Sequence, residues 1–264
     1  FTGYTTAELS MNYTRPVNAG SGTLISRGRL ITAGRSLGLS ECTIEDGHGR
    51  LVAHGTSRCV IFPPMGPPPT ELPDFPVIEL PTFTTPDPYL RPVAGEVLGQ
   101  DVFDRMTGLE VMRALIGGDL PIPPVSHLTG LRPIAAGDGT CTFVLPASPW
   151  LCSPLGKIEG GAIALLADTA IATAVQTTVP ARTTYATLDL KVNYLRPVEA
   201  DGTDMTGVGV VIHRGRTIAV ANAELTDGAG RPIAVATGTA MILPDRPWLP
   251  NAPVVPADES PAAG

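Results

Sequence analysis

No apolar run in the 264 residues reaches the roughly 18–20 needed to cross a bilayer. A membrane-spanning helix is therefore not expected. Positive charge is also short, with 18 Lys and Arg against 25 Asp and Glu and a net charge of −7. That balance disfavours a general nucleic-acid or anionic-membrane surface, while leaving room for a local basic pocket. Cysteine is scarce. Cys42, Cys59, Cys141 and Cys152 form no CxxC pair and no metal-ligand spacing. They read as free or buried thiols of a reducing compartment rather than as a disulfide framework. The opening residues do not form a signal-peptide pattern, and the expected location is cytoplasmic. Neither a metal nor a redox cofactor is indicated. Hydrophobic residues make up 43%, enough for a real core, and the length allows one large or two ordinary domains.

What is present is a long internal repeat. Residues 9–61 and 190–242 align without a gap at an offset of 181, with 18 of 53 positions identical. Leu9, Asn12, Tyr13, Arg15, Pro16 and Val17 return as Leu190, Asn193, Tyr194, Arg196, Pro197 and Val198. Gly34-Arg35 returns as Gly215-Arg216, and Asp46-Gly47-His48-Gly49-Arg50 as Asp227-Gly228-Ala229-Gly230-Arg231. A period this long marks a duplicated domain rather than a solenoid. The copies are unequal, because the residues preceding the second have no counterpart before the first.

Both copies read as antiparallel meanders. Alternation and β-branched residues place strands at 7–17, 24–32, 35–45 and 50–61, and again at 186–198, 205–213, 216–226 and 231–242. The Asp-Gly-x-Gly segments are hairpin turns. Between the copies, residues 63–92 hold eleven prolines in thirty positions, which excludes a helix or a central strand. The segment reads as a semi-rigid linker. Residues 96–117 have helical spacing and form a helix or a helix pair ending at Gly117-Gly118; 140–147 resembles a strand. The division expected is 1–62 (strand half of a first domain), 63–95 (linker), 96–245 (complete second domain with a helical extension) and 246–264 (flexible tail).

Chemistry concentrates at 153–175. From Gly161 onward the segment is small and apolar, which suits a helix buried on nearly all sides. Asp168 is its lone carboxylate, and a carboxylate on a buried helix is costly unless paired or used. The alternative is a carboxylate satisfied by backbone or Thr hydroxyls. Gly160-Gly161 stands at the helix start, where free N–H groups and the positive dipole end can hold an oxyanion.

These residues resemble the hotdog fold, specifically the phenylacetate-pathway (PaaI-type) acyl-CoA thioesterases. The family pattern Asn-Pro-x-Gly-x-x-His-Gly-Gly, followed by an Asp eight residues after the first Gly of the pair, corresponds to Ser153-Pro154-Leu155-Gly156-Lys157-Ile158-Glu159-Gly160-Gly161 and Asp168. Thr184 to Pro197 and His213 to Arg216 match the family's strand motifs. Two positions depart: Glu159 stands at the family's His and Ser153 at its Asn. The resemblance implies an α+β double hotdog, each half an antiparallel sheet wrapped round a central helix, with the first half lacking its helix in the sequence given. It implies hydrolysis of acyl-CoA to free acid and coenzyme A, the latter being part of the substrate rather than a cofactor. It assigns Asp168 as base or nucleophile, the Gly160 and Gly161 amides to the carbonyl, and Thr169 and Thr184 to orientation. Glu159 takes a catalytic position, or is a solvated charge near the helix start. Ser153, Arg196, Arg214 and Arg216 take substrate contacts, or the arginines pair with strand-end carboxylates.

It further implies an intramolecular pseudo-dimer able to assemble again. The offset places the first copy's helix half before Phe1, an expectation of about 60 further residues upstream. The apolar residues of 96–130 are expected over the acyl channel. A hotdog dehydratase is the competing enzyme, disfavoured because 153–175 holds no His. A non-catalytic acyl-CoA-binding protein is the competing class.

Overall fold

A computed structural model describes residues 3–63, 93–153 and 156–246. Most of the expected linker and tail, and Pro154 and Leu155 of the motif, lie outside them. The elements in chain order are β1 (Tyr4–Tyr13), β2 (Ile25–Ala33), β3 (Leu37–Glu45), β4 (Leu51–Ile61), α1 (Gln100–Arg105), α2 (Gly108–Gly117), α3 (Pro124–Thr129), β5 (Arg132–Gly137), β6 (Thr140–Pro146), α4 (Gly160–Gln176), β7 (Thr183–Tyr194), β8 (Asp204–Arg214), β9 (Ile218–Thr226) and β10 (Pro232–Pro244).

All ten strands join one antiparallel sheet, in the order β2-β3-β4-β1-β7-β10-β9-β8-β6-β5. The first four strands mirror β8-β9-β10-β7 about the β1–β7 seam. The seam register shows the same symmetry: Glu8 pairs with Asn193, Asn12 with Asp189, and Ser10 with its own copy Lys191. Shifting either member of a pair by 181 therefore yields another pair, as a two-fold axis through Ser10 and Lys191 requires. Each copy also carries a register shift at the same place, at Ala7 in β1 and Leu188 in β7. The repeated turn has a physical reason in each copy. Asp46 accepts from the His48 and Arg50 amides and from Arg50 Nε; Asp227 accepts from Ala229, Arg231 and Arg231 Nε in the same way. Gly49 and Gly230 supply the positive φ (72° and 76°) that closes the turn.

The core lies between α4 and the second repeat. Leu166, Ala167, Ala170, Ile171 and Ala174 are fully buried against strands whose facing residues are small, among them Ala219, Ala221 and Ala223. Small residues let a helix come close. A Cβ at Gly209 would overlap the Ala170 carbonyl, and one at Gly207 would sit 3.0 Å from Leu166 Cγ. The first repeat keeps this pattern. Where Gly209, Ala223 and Ala236 form a row across the second repeat, Gly28, Cys42 and Gly55 form it across the first. Yet among the described residues no helix packs on that row. All of β2 is exposed, including Leu30 at 63%, and among the described residues the first repeat is a sheet with no helix packed on it.

The region 96–117 is a helix pair, α1 and α2, broken at Thr107. Thr107 and Glu110 form a capping box that restarts the helix. Two elements escaped the sequence reading. α3 begins with Pro124 at its first position, which a helix tolerates. β5 is an edge strand, where Pro133 is permitted.

Candidate active site

α4 starts at a loop pinned on both sides. Ile158 N–H donates to Val198 O, Glu159 N–H donates to Leu151 O, and Lys157 pairs with Glu199. Glu159 occupies the N-cap position, but its exposed side chain makes no capping bond. The Gly160 and Gly161 amides thus head the helix without a side-chain cap. Tyr194 Oη donates to Gly160 O at 2.9 Å and holds the turn from below. Burial, and then the Glu159 charge, push the Tyr194 hydroxyl up to about 12, so it remains a donor. At neither glycine does the fold require the missing side chain. A Cβ would stay 3.5 Å from Tyr194 Oη at Gly160, and 4.0 Å from Glu159 Cγ at Gly161. What the glycines preserve is open space in front of the amides.

That space is a cleft of about 420 Å³, walled by Trp150, Leu151, Cys152, Ala162 and Leu165, with Glu159 and Gly161 at its mouth. None of the apolar residues expected from 96–130 lines it. Val111 and Met112 are instead in the core, because α2 packs on β5 and α4.

Gly161, Leu165, Asp168, Thr169 and Ala172 form the one stripe of α4 that the sheet does not bury. Asp168 is partly buried in it, and its Oδ1 has no hydrogen-bond partner among the described residues. Burial pushes its carboxyl up from 3.8 to about 6. Two tyrosines feel its charge: Tyr13, pushed up to about 12 by burial and then by Asp168 and Asp189, and Tyr185, pushed up by burial first, then by Asp168 and Cys141. Tyr13 belongs to the first repeat and was not singled out in the sequence. The signal was there: it is the copy of Tyr194.

The other expected residues are scattered. Thr169 lies beside Asp168 on the open stripe, its carbonyl accepting from Thr173 Oγ1. Thr184 is buried on the strand face opposite to Tyr185, so it is not brought to Asp168. Ser153 closes the loop before α4, with its amide donating to Lys157 O and its carbonyl accepting from Gly156. Arg196 is exposed just beyond Tyr194, at the Gly160 end. Arg214 and Arg216 sit on the β8–β9 hairpin. Arg214 is seven residues along β8 from Gly207, which lies level with Tyr194 across the sheet. That is about 23 Å, toward the other end of α4. The two-fold places the copy of that hairpin, with exposed Arg35, at the Gly160 end instead. The four cysteines form no disulfide. Among the described residues no cluster of three or more His, Cys, Asp or Glu is arranged for a metal, and no helix is long and apolar enough to cross a membrane.

Residues 155–234, from the glycine loop through α4 to β10, match the model of the thioesterase superfamily. A conserved protein from Pseudomonas aeruginosa is 34% identical over 46% of this chain and 95% of its own (TM-score 0.43). Residues 155–234 carry a thioesterase-superfamily domain. A phenylacetic acid degradation-related protein of Ralstonia eutropha, described as a putative thioesterase, is 26% identical over 49% of this chain and 98% of its own (TM-score 0.45). The PaaI protein of the Escherichia coli phenylacetic acid degradation operon is 21% identical over 44% and 82% (TM-score 0.41). No curated protein matches. The mixed fold, a large antiparallel sheet with one long helix against it, is the hotdog fold of this superfamily. The superfamily match covers 80 of the 264 residues, and α4 lies within them.

Proposed function

We propose that the protein hydrolyses acyl thioesters, with acyl-CoA as the substrate and Asp168 as general base. The observation that carries this reading is the placement of Asp168: a raised, unpartnered carboxylate on the same open helix stripe as an uncapped pair of glycine amides. In a thioesterase-superfamily domain those are the two parts that thioester hydrolysis needs.

The helix rise supports this division of roles. Seven residues separate Gly161 from Asp168, about 10 Å along the axis. A carboxylate, a water, a carbonyl carbon and its oxygen held on an amide span roughly 9–10 Å when each contact is of hydrogen-bond or attack length. Direct attack by the carboxylate needs a span shorter by one water. The spacing therefore favours the base over the nucleophile. Asp168 takes a proton from water, and the water oxygen bonds to the carbonyl carbon. The oxyanion rests against the Gly160 and Gly161 N–H groups at the positive end of α4. The C–S bond then breaks, and the departing thiolate takes up the proton. Glu159, exposed at the mouth, lies where an approaching acyl group passes it. Arg196 and Arg35 share that end of the sheet and would meet the phosphates of coenzyme A.

The cleft's apolar walls support a preference for apolar acyl groups. A panel of acyl-CoAs from acetyl to palmitoyl and phenylacetyl, followed by thiol release, is expected to show higher kcat/KM for the medium or aromatic groups than for acetyl. Burial of each CH₂ contributes about 0.8 kcal/mol, or about fourfold per methylene, until the cleft is filled. Best turnover on acetyl-CoA contradicts the assignment of the cleft.

A further inference from the structure

We propose that Tyr13, from the first repeat, is a catalytic residue of the Asp168 site: its hydroxyl donates to the water from which Asp168 takes the proton. The assignment rests on the thioesterase reading above and extends it to a residue outside the matched segment 155–234.

The placement follows from the seam. Leu9 faces Val192 and Met11 faces Leu190 across β1–β7. Val192 and Leu190 are buried in the core beneath α4, Leu9 packs against that core, and Met11 is buried too. Side chains alternate along a strand, so Tyr13 follows Leu9 and Met11 onto the α4 side of the sheet. It is half-buried there and packs against the α4 core. Its copy shows what this position can do. Tyr194 sits at the equivalent place in the second repeat and spends its hydroxyl on Gly160 O. Tyr13 has no such neighbour among the described residues, and its hydroxyl makes no hydrogen bond to them. Asp168 Oδ1 makes none either.

Two polar groups of complementary type thus face one space from opposite repeats, a donor on β1 and an acceptor on α4. Burial of Asp168 Oδ1 without a partner costs about 1–3 kcal/mol, and a water that accepts from Tyr13 and donates to Asp168 relieves it. The weakened acidity of the Tyr13 hydroxyl, caused by burial and by the Asp168 charge, keeps it a donor throughout the working range. That same water has its remaining lone pair free to attack the thioester carbonyl. The geometry also makes the β1–β7 seam a condition of chemistry: the second repeat alone lacks the donor.

The test compares wild type with Tyr13→Phe, Tyr194→Phe, Asp168→Asn and the double variant Tyr13→Phe/Asp168→Asn in the full chain. Thiol release is followed over pH 5–9, and thermal unfolding is recorded for each. Tyr13→Phe is expected to lower kcat about 10- to 100-fold with KM within about threefold and with the unfolding temperature little changed. Added to Asp168→Asn it is expected to lower kcat no further, because both act on one water. Wild-type kcat in a folded Tyr13→Phe variant overturns the assignment, as does a loss that multiplies fully with that of Asp168→Asn. A drop in unfolding temperature at unchanged kcat assigns Tyr13 to packing and also overturns it. If wild type releases thiol from no thioester, the hydrolase reading itself fails; an active wild type with an inert Tyr13 fails this inference alone.

Discussion

Asp168→Asn is expected to lower kcat for thioester hydrolysis by about 10³-fold, with KM changed by less than about threefold. Asn keeps the size and the polarity of the side chain but cannot take a proton from water. The loss thus isolates proton transfer from packing. The pH profile of wild type carries the same signature. Burial holds the Asp168 carboxyl at about 6 rather than 3.8, so kcat/KM rises about tenfold per pH unit below 6 and levels above it. Stability moves in the opposite sense. The folded chain holds this proton more tightly than the unfolded chain, so the penalty of a buried carboxylate is fully present above about pH 6 and is relieved as pH falls toward 3.8. Asp168→Asn is therefore expected to raise stability at pH 8, by on the order of 2 kcal/mol, and to change little at pH 4. A variant that loses both activity and stability at pH 8 would show a structural carboxylate instead.

Gly209→Ala destabilises the fold by about 3 kcal/mol, whereas Gly28→Ala, its copy in the first repeat, costs less than about 0.5 kcal/mol or stabilises. The two glycines share a sequence position and a strand position. They differ in what lies above them. A Cβ at Gly209 meets the Ala170 backbone of α4, while one at Gly28 finds nothing closer than Glu41 O at 3.9 Å. Chemical denaturation of the two variants reads the difference directly. Equal effects would mean that a helix lies over both repeats in solution or over neither.

The same pair shows how far the sequence could be read. The repeat, its strands and the long buried helix were legible because alternation and the small-residue composition of 161–175 are local signals. The Asp-Gly-x-Gly-Arg turns were legible because Asp and the αL glycine act within five residues. The pairing of β1 with β7 was not, since it joins residues about 181 apart and leaves no periodic trace. With it went Tyr13, whose approach to Asp168 depends wholly on that seam, and the end of the sheet at which each arginine falls. Thr184 shows the converse error. Family spacing set it beside the site, but one step of strand alternation turns it away. Met112 has the apolar character expected over the acyl channel, yet the restart of the helix at Thr107 folds it into the core. Composition distinguishes apolar from polar, not core from cleft.

The central claim is hydrolysis of a thioester by water activated at Asp168. It is tested most directly by incubating the full chain with an acyl-CoA of medium length in ¹⁸O-water and measuring free thiol and free acid together. One thiol per acid, with a single ¹⁸O in each acid molecule from the first turnover onward, is the predicted result. Saturable binding of the acyl-CoA with no thiol released would contradict it, and would mark the cleft as a binding site without chemistry.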